Sequence, residues 1–332
     1  MSPARGVSVV AKSLLGLALG AGVCYCAYRV IMSGRHRKKE TARVPDSSLL
    51  ERVSGISVLA SVQGNNKENI IAEPASNLES HHLKSLLKIL LTNSESSVQE
   101  LALVTLCNSA AFSANHDIIR NLDGVRIIRG FLSDPNPKIK VNALNALNNL
   151  SMNLKNQEQI KEFITEICKD ITTSPLNSDV LLAGLGLVIN MSVTNNYHVK
   201  MVDYIPSFLR ILVEGNEITQ KYTLKVLVNM SANPLMTTPL LASKAQPSMT
   251  SLFGSCMNSD ILIRALTFTA NLFENVGREQ HCHYNNDSLY ALLFGDPSLF
   301  QRNLEPLLLH PDIEVKQQVS RLYFNLPRLK QL

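Results

Sequence analysis

Ala143-Leu144-Asn145-Ala146-Leu147-Asn148-Asn149-Leu150-Ser151 decides the fold of this chain. Its apolar residues stand three and four apart, the spacing that gives a helix one buried stripe. Working outward from Asn149, an asparagine in the same helical setting recurs at Asn108, Asn190, Asn229, Asn271 and Asn325, so that successive members are 41, 41, 39, 42 and 54 residues apart. A period of this length marks a stack of helical repeats, in which no repeat buries its own apolar face and each depends on its neighbours.

Aligned on the asparagine, the six segments share a template. Thirteen residues earlier stand Glu95, Asn136, Asn177, Asn216, Asn258 and Asp312, and five of these are strong N-cap residues, whose side-chain oxygen takes an orphan backbone N–H. Ten earlier are the β-branched Val98, Ile139, Val180, Thr219, Ile261 and Val315. Six earlier are the mostly small Ala102, Ala143, Gly184, Thr223, Ala265 and Val319, and five earlier Leu103, Leu144, Leu185, Leu224, Leu266 and Ser320. At about 100° per residue these positions fall on one stripe, and the asparagine lies off its centre. Two roles follow for the amides of Asn108, Asn149, Asn190, Asn229, Asn271 and Asn325. They line a groove and hydrogen-bond an extended partner, or they bridge neighbouring repeats and hold the stack together.

Between the long helices the sequence reads as shorter ones. After Asn108 come Asn115 to Leu122, then Gly124, then Val125 to Leu132, then the breaker Asp134-Pro135-Asn136-Pro137. Two short helices and one long one, with glycine at the first bend, is the armadillo arrangement. The expected fold is therefore all-α, a right-handed armadillo-repeat superhelix of about six repeats. The equivalent bends carry Thr165, Tyr204 and Gln246, so the later repeats are expected to be less regular.

With 332 residues, 45% of them hydrophobic, the chain can bury a large elongated core. It has no tryptophan; armadillo carriers of basic import signals pair groove tryptophans with the asparagine row, so that job is disfavoured. The net charge of +5 is concentrated at the amino end, where Arg5, Lys12, Arg29, Arg35, Arg37, Lys38 and Lys39 face Glu40 alone. The remainder holds 25 basic and 26 acidic residues and lacks the footprint of a nucleic-acid-binding surface. The six scattered cysteines form no CxxC pair, which points to free thiols in a reducing compartment. Asn-x-Ser occurs at Asn149, Asn190 and Asn229, inside packed helices that cannot carry a glycan.

Ser13 to Tyr28 is an uncharged, mostly apolar stretch flanked by Lys12 and Arg29. It is short for a membrane span, which takes about 17–25 residues, but usable because flanking cations snorkel. The basic flank Arg35, Arg37, Lys38 and Lys39 exceeds the charge before the span and keeps the carboxyl-terminal part in the cytosol. A cleaved secretory signal is the competing reading, which the basic run and the thiols oppose. The organisation expected is a flank over 1–12, a single transmembrane signal anchor over 13–32, a basic then Ser-rich flexible linker over 33–80, and the repeat domain over 81–330. Gly16, Gly20 and Cys24 form a small-residue face suited to self-association of anchors, and Cys24 and Cys26 are candidates for acylation.

No phosphate-binding loop, metal-ligand helix or nucleophile elbow occurs, so no enzyme activity, cofactor or small-molecule substrate is expected. His281-Cys282-His283, beside Glu279, lies in the long last interval. A closed zinc site needs four ligands, so an exposed polar loop is the preferred reading and no metal is assigned.

The span Gly20-Ala21-Gly22-Val23-Cys24-Tyr25-Cys26-Ala27-Tyr28-Arg29, with Asn108-Ser109-Ala110-Ala111-Phe112-Ser113 and the stretch from Ala143 to Ser151, resembles the X-linked armadillo-repeat family and its close relatives. The likeness covers the anchor and nearly all of residues 80–330. It implies a single-pass protein of the mitochondrial outer membrane with repeats facing the cytosol, the endoplasmic reticulum being the alternative. It also implies Miro-type GTPases and Trak-type motor adaptors as partners and a role in mitochondrial transport, distribution and dynamics. Other members are linked to cell growth, survival and binding of transcription factors, which is the alternative role.

Overall fold

The computed structural model describes residues 80–323, apart from 255–257 and 277–282. The anchor, the linker, the basic flank Arg35, Arg37, Lys38 and Lys39, most of the His281 to His283 cluster, and Asn325 lie outside the described residues. Among the described residues all regular structure is helical except one isolated antiparallel bridge between Lys244 and Ser288. None of these helices is long and apolar enough to cross a membrane. The chain divides into two compact units, the first ending at Gly124 and the second beginning at Val125.

The first unit holds α1 (Ser80–Thr92), α2 (Ser96–Ala110) and α3 (His116–Asn121). Leu83, Leu86, Leu87 and Leu90 of α1 recur three and four apart and are buried, as are Val98, Ala102, Leu103 and Leu106 of α2 and Ile119 of α3. The chain turns after α3 through Asp123, which takes the left-handed φ of 61°. Gly124 follows because a Cβ there would stand 2.7 Å from the Ile119 carbonyl oxygen.

The second unit is a run of repeats. α4 (Gly124–Arg129) leads to α5 (Pro137–Leu150); α6 (Leu154–Ile160) and α7 (Ile164–Thr173) lead to α8 (Asp179–Met191). A 3₁₀ segment over Asn195–Tyr204 and α9 (Ile205–Glu214) lead to α10 (Glu217–Ser231). α11 (Thr237–Ala242) and a second 3₁₀ segment, Pro247–Phe253, lead to α12 (Ser259–Val276). After the long interval come α13 (Leu289–Phe294), α14 (Pro297–Leu304) and α15 (Ile313–Tyr323). The expected irregularity of later repeats takes the form of these 3₁₀ segments, each entered by a β-branched or proline-containing stretch that fits an α-helical turn poorly.

Each long helix starts where the template places a cap, with one exception. Asn136, Asn216, Asn258 and Asp312 accept backbone N–H groups at the starts of α5, α10, α12 and α15. Glu95 makes no such cap for α2. Asn177, expected to cap α8, does not: Ser178 Oγ accepts from Leu181 N instead. Asn177 sits one residue earlier with φ 62°, and its Oδ1 accepts from the backbone N–H of Asn216, the cap residue of the next repeat. Asparagine tolerates the left-handed region better than other non-glycine residues, so a residue that reads as a cap becomes a link between repeats.

The template positions form the core. Ile139, Ala143, Leu144, Leu147 and Leu150 of α5 are buried, as are Gly184, Leu185 and Val188 of α8, Leu224 and Leu227 of α10, and Ile261, Ala265 and Leu266 of α12. The long last interval adds aromatic packing rather than another repeat helix. Phe253, Phe294 and Phe300 meet edge to face, with Phe253 and Phe300 ring centroids 5.7 Å apart, and Phe273 meets Phe294 at the same distance.

Candidate functional site

The asparagine row is built by the long helices of the second unit, each of which presents its asparagine from the same register. Asn190 Nδ2 donates to the Asn148 backbone oxygen (3.1 Å), to Asn148 Oδ1 (2.8 Å) and to Ser151 Oγ (3.0 Å). Asn229 Nδ2 donates to the Ile189 backbone oxygen (3.3 Å) and to Ser192 Oγ (2.9 Å). Asn271 Nδ2 reaches the Val228 backbone oxygen (3.5 Å) and Ser231 Oγ (3.1 Å). The rule is the same each time. The amide of one repeat donates to the carbonyl just before the previous asparagine and to the hydroxyl two residues after it.

The hydroxyls are oriented for this. Ser151, Ser192 and Ser231 are fully buried, and each donates back to the carbonyl three residues earlier, at 2.6, 2.8 and 2.9 Å. With its proton committed, each Oγ presents a lone pair to the incoming amide. The Asn-x-Ser triplets therefore have a structural purpose that the sequence displays but does not explain: Asn190 and Asn229 donate to the repeat before, and Ser151, Ser192 and Ser231 accept from the repeat after. Recurrence of serine two residues past Asn149, Asn190 and Asn229 is the signal that reveals it.

The amides are only half used by this stitching. No described donor lies against Oδ1 of Asn190 or Asn229, and both residues are half-exposed. Asn271 differs, because its Oδ1 accepts from Arg321 Nη2 at 3.1 Å. Arg321 also forms a two-point pair with Glu274, at 2.5 and 2.7 Å, and this ties α15 to α12. The structure thus brings the donor ends of Asn190, Asn229 and Asn271 into equivalent settings. Asn149 is half-buried at the same register of α5, and Asn108 is exposed on α2 in the first unit.

A second seam of polar contacts recurs seven and eight residues past the asparagine and was not foreseen. Asn115 and His116 bond the Ser109 and Ala110 carbonyls at the end of α2. Asn156 and Gln157 bond those of Leu150 and Ser151 at the end of α5, and His198 Nε2 bonds that of Ser192 at 2.6 Å. These side chains satisfy orphan carbonyls of buried helix ends. In the second unit the seam continues between repeats, through Thr194 to Gln157, Tyr197 to Glu158 and Asn233 to His198. Different residue types do the same work, which hides the pattern from a template built on identity.

Cations gather on α10 and α12. Lys221 and Arg264 stand 3.6 and 3.2 Å from the two oxygens of Asp260, and Lys225 lies 5.6 Å from the Tyr222 ring centroid. Burial, then the neighbouring Arg264 and Lys221, push the Lys225 ammonium down to about 8. Burial alone would raise Asp260, but Arg264 and Lys221 hold it below its usual value. Cys168 is a buried free thiol whose pKa burial pushes up to about 12, so it is no nucleophile. A cavity of about 460 Å³ opens beside Gln246, Phe253, Ser288 and Phe300, and no asparagine of the row lines it. Among the described residues no group of three His, Cys, Asp or Glu side chains is arranged to hold a metal ion.

A family model described as Armadillo-like matches residues 78–294. The chain belongs to the armadillo-like family. Solved armadillo structures share its fold. A designed armadillo repeat protein matches with a TM-score of 0.61 at 17% identity, covering 74% of this chain and 99% of its own. A designed armadillo repeat protein in complex with the peptide (KR)4 matches with a TM-score of 0.61 at 15% identity, covering 74% and 99%. One computationally designed for modular peptide recognition matches with a TM-score of 0.59 at 15% identity, covering 73% and 99%. At these identities the likeness is one of architecture.

Proposed function

We propose that this armadillo protein is a non-enzymatic scaffold whose asparagine row captures an extended segment of a partner protein. The observation that carries the reading is the half-committed amide: Nδ2 of Asn190 and Asn229 is spent on the neighbouring repeat, while Oδ1 is left to accept a partner's backbone N–H. Stitching and capture then belong to one side chain, because an amide held rigid by its Nδ2 presents an acceptor at little further cost in entropy. The armadillo protein designed for modular peptide recognition and the one in complex with (KR)4 support the same use of this architecture.

The same proposal places the scaffold on the mitochondrial outer membrane, held by residues 13–32 with Arg35, Arg37, Lys38 and Lys39 on the cytosolic side. By resemblance its partners are Miro-type GTPases and Trak-type motor adaptors, and its role is to set mitochondrial transport and distribution. The support is the short apolar stretch with its basic flank, together with the residues shared with the X-linked family. Proximity labelling from the intact chain in cells is the test. Enrichment of mitochondrial surface and motor-adaptor proteins, lost on deletion of residues 1–40, is expected. Labelling dominated by endoplasmic reticulum proteins, or by transcription factors that persist after the deletion, refutes the placement.

A further inference from the structure

At the asparagine register, and four, seven and eight residues before it, the long helices of the second unit differ sharply in charge. α5 holds the half-buried Val141, Asn142 and Asn145, and α8 the half-buried Leu182 beside the buried Ala183 and Gly186, all uncharged. α10 presents Lys221, Tyr222 and Lys225, and α12 presents Ile263, Arg264 and Thr267. Residues four and eight apart lie on one helix face, so Lys221, Lys225 and Asn229 share theirs. Arg264, seven before Asn271, shares the corresponding face of α12.

Among the described residues, Lys221 and Arg264 therefore flank one carboxylate, Asp260, and Lys225 stands one turn along the same face from Lys221. Glu217, one turn before Lys221, lies at the rim, where Asn258 Nδ2 reaches it at 3.5 Å. Among the described residues the patch is positive with both acids counted. The cations are not splayed into water as on an ordinary surface: the Lys221 and Arg264 side chains are 28% and 29% exposed. Half-buried like charges repel one another, and an added anion relieves that repulsion.

Resting on the scaffold reading above, we propose that the row selects an extended partner segment carrying aspartate or glutamate where it crosses α10 and α12, and uncharged residues where it crosses α8. The carboxylates join Lys221, Lys225 and Arg264, and the segment's backbone N–H groups meet Oδ1 of Asn190 and Asn229. Neighbouring long helices are spaced by about 8–10 Å and an extended chain advances about 3.3 Å per residue, so about three residues cover each step. A nucleic-acid backbone fits poorly, because phosphate binding draws on many more cations than these three.

The test uses the full chain in detergent micelles and a fluorescent peptide of about eight residues alternating glutamate and serine. Matched peptides carry glutamine or lysine in place of glutamate, and a single-stranded oligonucleotide serves as competitor. The glutamate peptide is expected to bind at least about tenfold tighter than the glutamine one, with the lysine peptide weakest. Changing Lys221, Lys225 and Arg264 together to Gln should erase the preference, and Asp260→Asn, which removes the internal competitor, should strengthen glutamate-peptide binding. Equal binding of the glutamate and glutamine peptides overturns the charge selection while leaving the scaffold reading standing. Failure of all three peptides, tighter binding of the oligonucleotide, or weaker glutamate binding by Asp260→Asn also overturns it.

Discussion

At the scale of single residues, the asparagine row shows how an amide commits one end to the stack and keeps the other in reserve. An amide has a donor end and an acceptor end, and in Asn190 and Asn229 the donor end is fixed by the preceding repeat. Replacing Asn229 by Ala leaves Ser192 Oγ without its incoming donor, and the expected cost is about 1–3 kcal/mol in chemical denaturation. Asn229→Asp should cost more than Ala, since a carboxylate oxygen would then face the Ile189 carbonyl and the Ser192 lone pair. A double-mutant cycle with Ser192→Ala should give a total smaller than the sum of the single losses, because both remove the same bond. Additive losses would mean that the bond contributes nothing. The sequence announces these residues clearly through their period, yet the partner of each amide lies about 40 residues away, at a distance no local pattern reports.

At the scale of elements, the small residue six before each asparagine sets how closely a long helix packs on the helix preceding it. Gly184 of α8 is the extreme case: a Cβ there would drive directly into Ile171 Cγ2 of α7. Ile171 is fully buried and β-branched, so its Cγ2 cannot swing aside. Gly184→Ala should therefore destabilise by roughly 1–3 kcal/mol from overpacking, even though alanine is the better helix former by about 1 kcal/mol. Adding Ile171→Leu, which keeps the volume but moves the branch from Cβ to Cγ, should recover most of the loss; thermal melts of the two variants against the parent chain decide. The template located the small position correctly but not the atom that enforces it. It misplaced the start of α8 for a related reason, since Asn177 has a cap's chemistry while the backbone there turns left-handed to meet the next repeat.

At the scale of the whole molecule, each unit contains a buried histidine that closes a helix end, His116 in the first and His198 in the second. Asn233 Oδ1 accepts from Leu235 N–H, so its Nδ2 faces His198 Nδ1, which must accept; the ring proton therefore sits on Nε2 and is donated to the Ser192 carbonyl. Burial lowers both histidines from the ordinary 6.5, against the hydrogen bonds to Ala110 and Ser192. The unfolded chain thus takes up protons at a higher pH than the folded one, and stability present above 6.5 is lost as pH falls through that value. The melting temperature should drop between about pH 7.5 and 5.5. His198→Gln should keep the fold and reduce that dependence, because Gln157 already performs the same closure on Ser151. An unchanged pH profile in that variant would show that His198 does not carry it.

Period, caps and the stripe of small and branched residues are legible in the sequence because they are local consequences of helix geometry, repeated often enough to stand out. The order of the repeats, the buried face and the register of each asparagine follow from them without coordinates. Folding alone decides which end of each amide is spent, that the serines of the Asn-x-Ser triplets receive it, and that Lys221 and Arg264 converge on Asp260. Those are relations between residues on different helices, and their distances and orientations exist only once the repeats have packed.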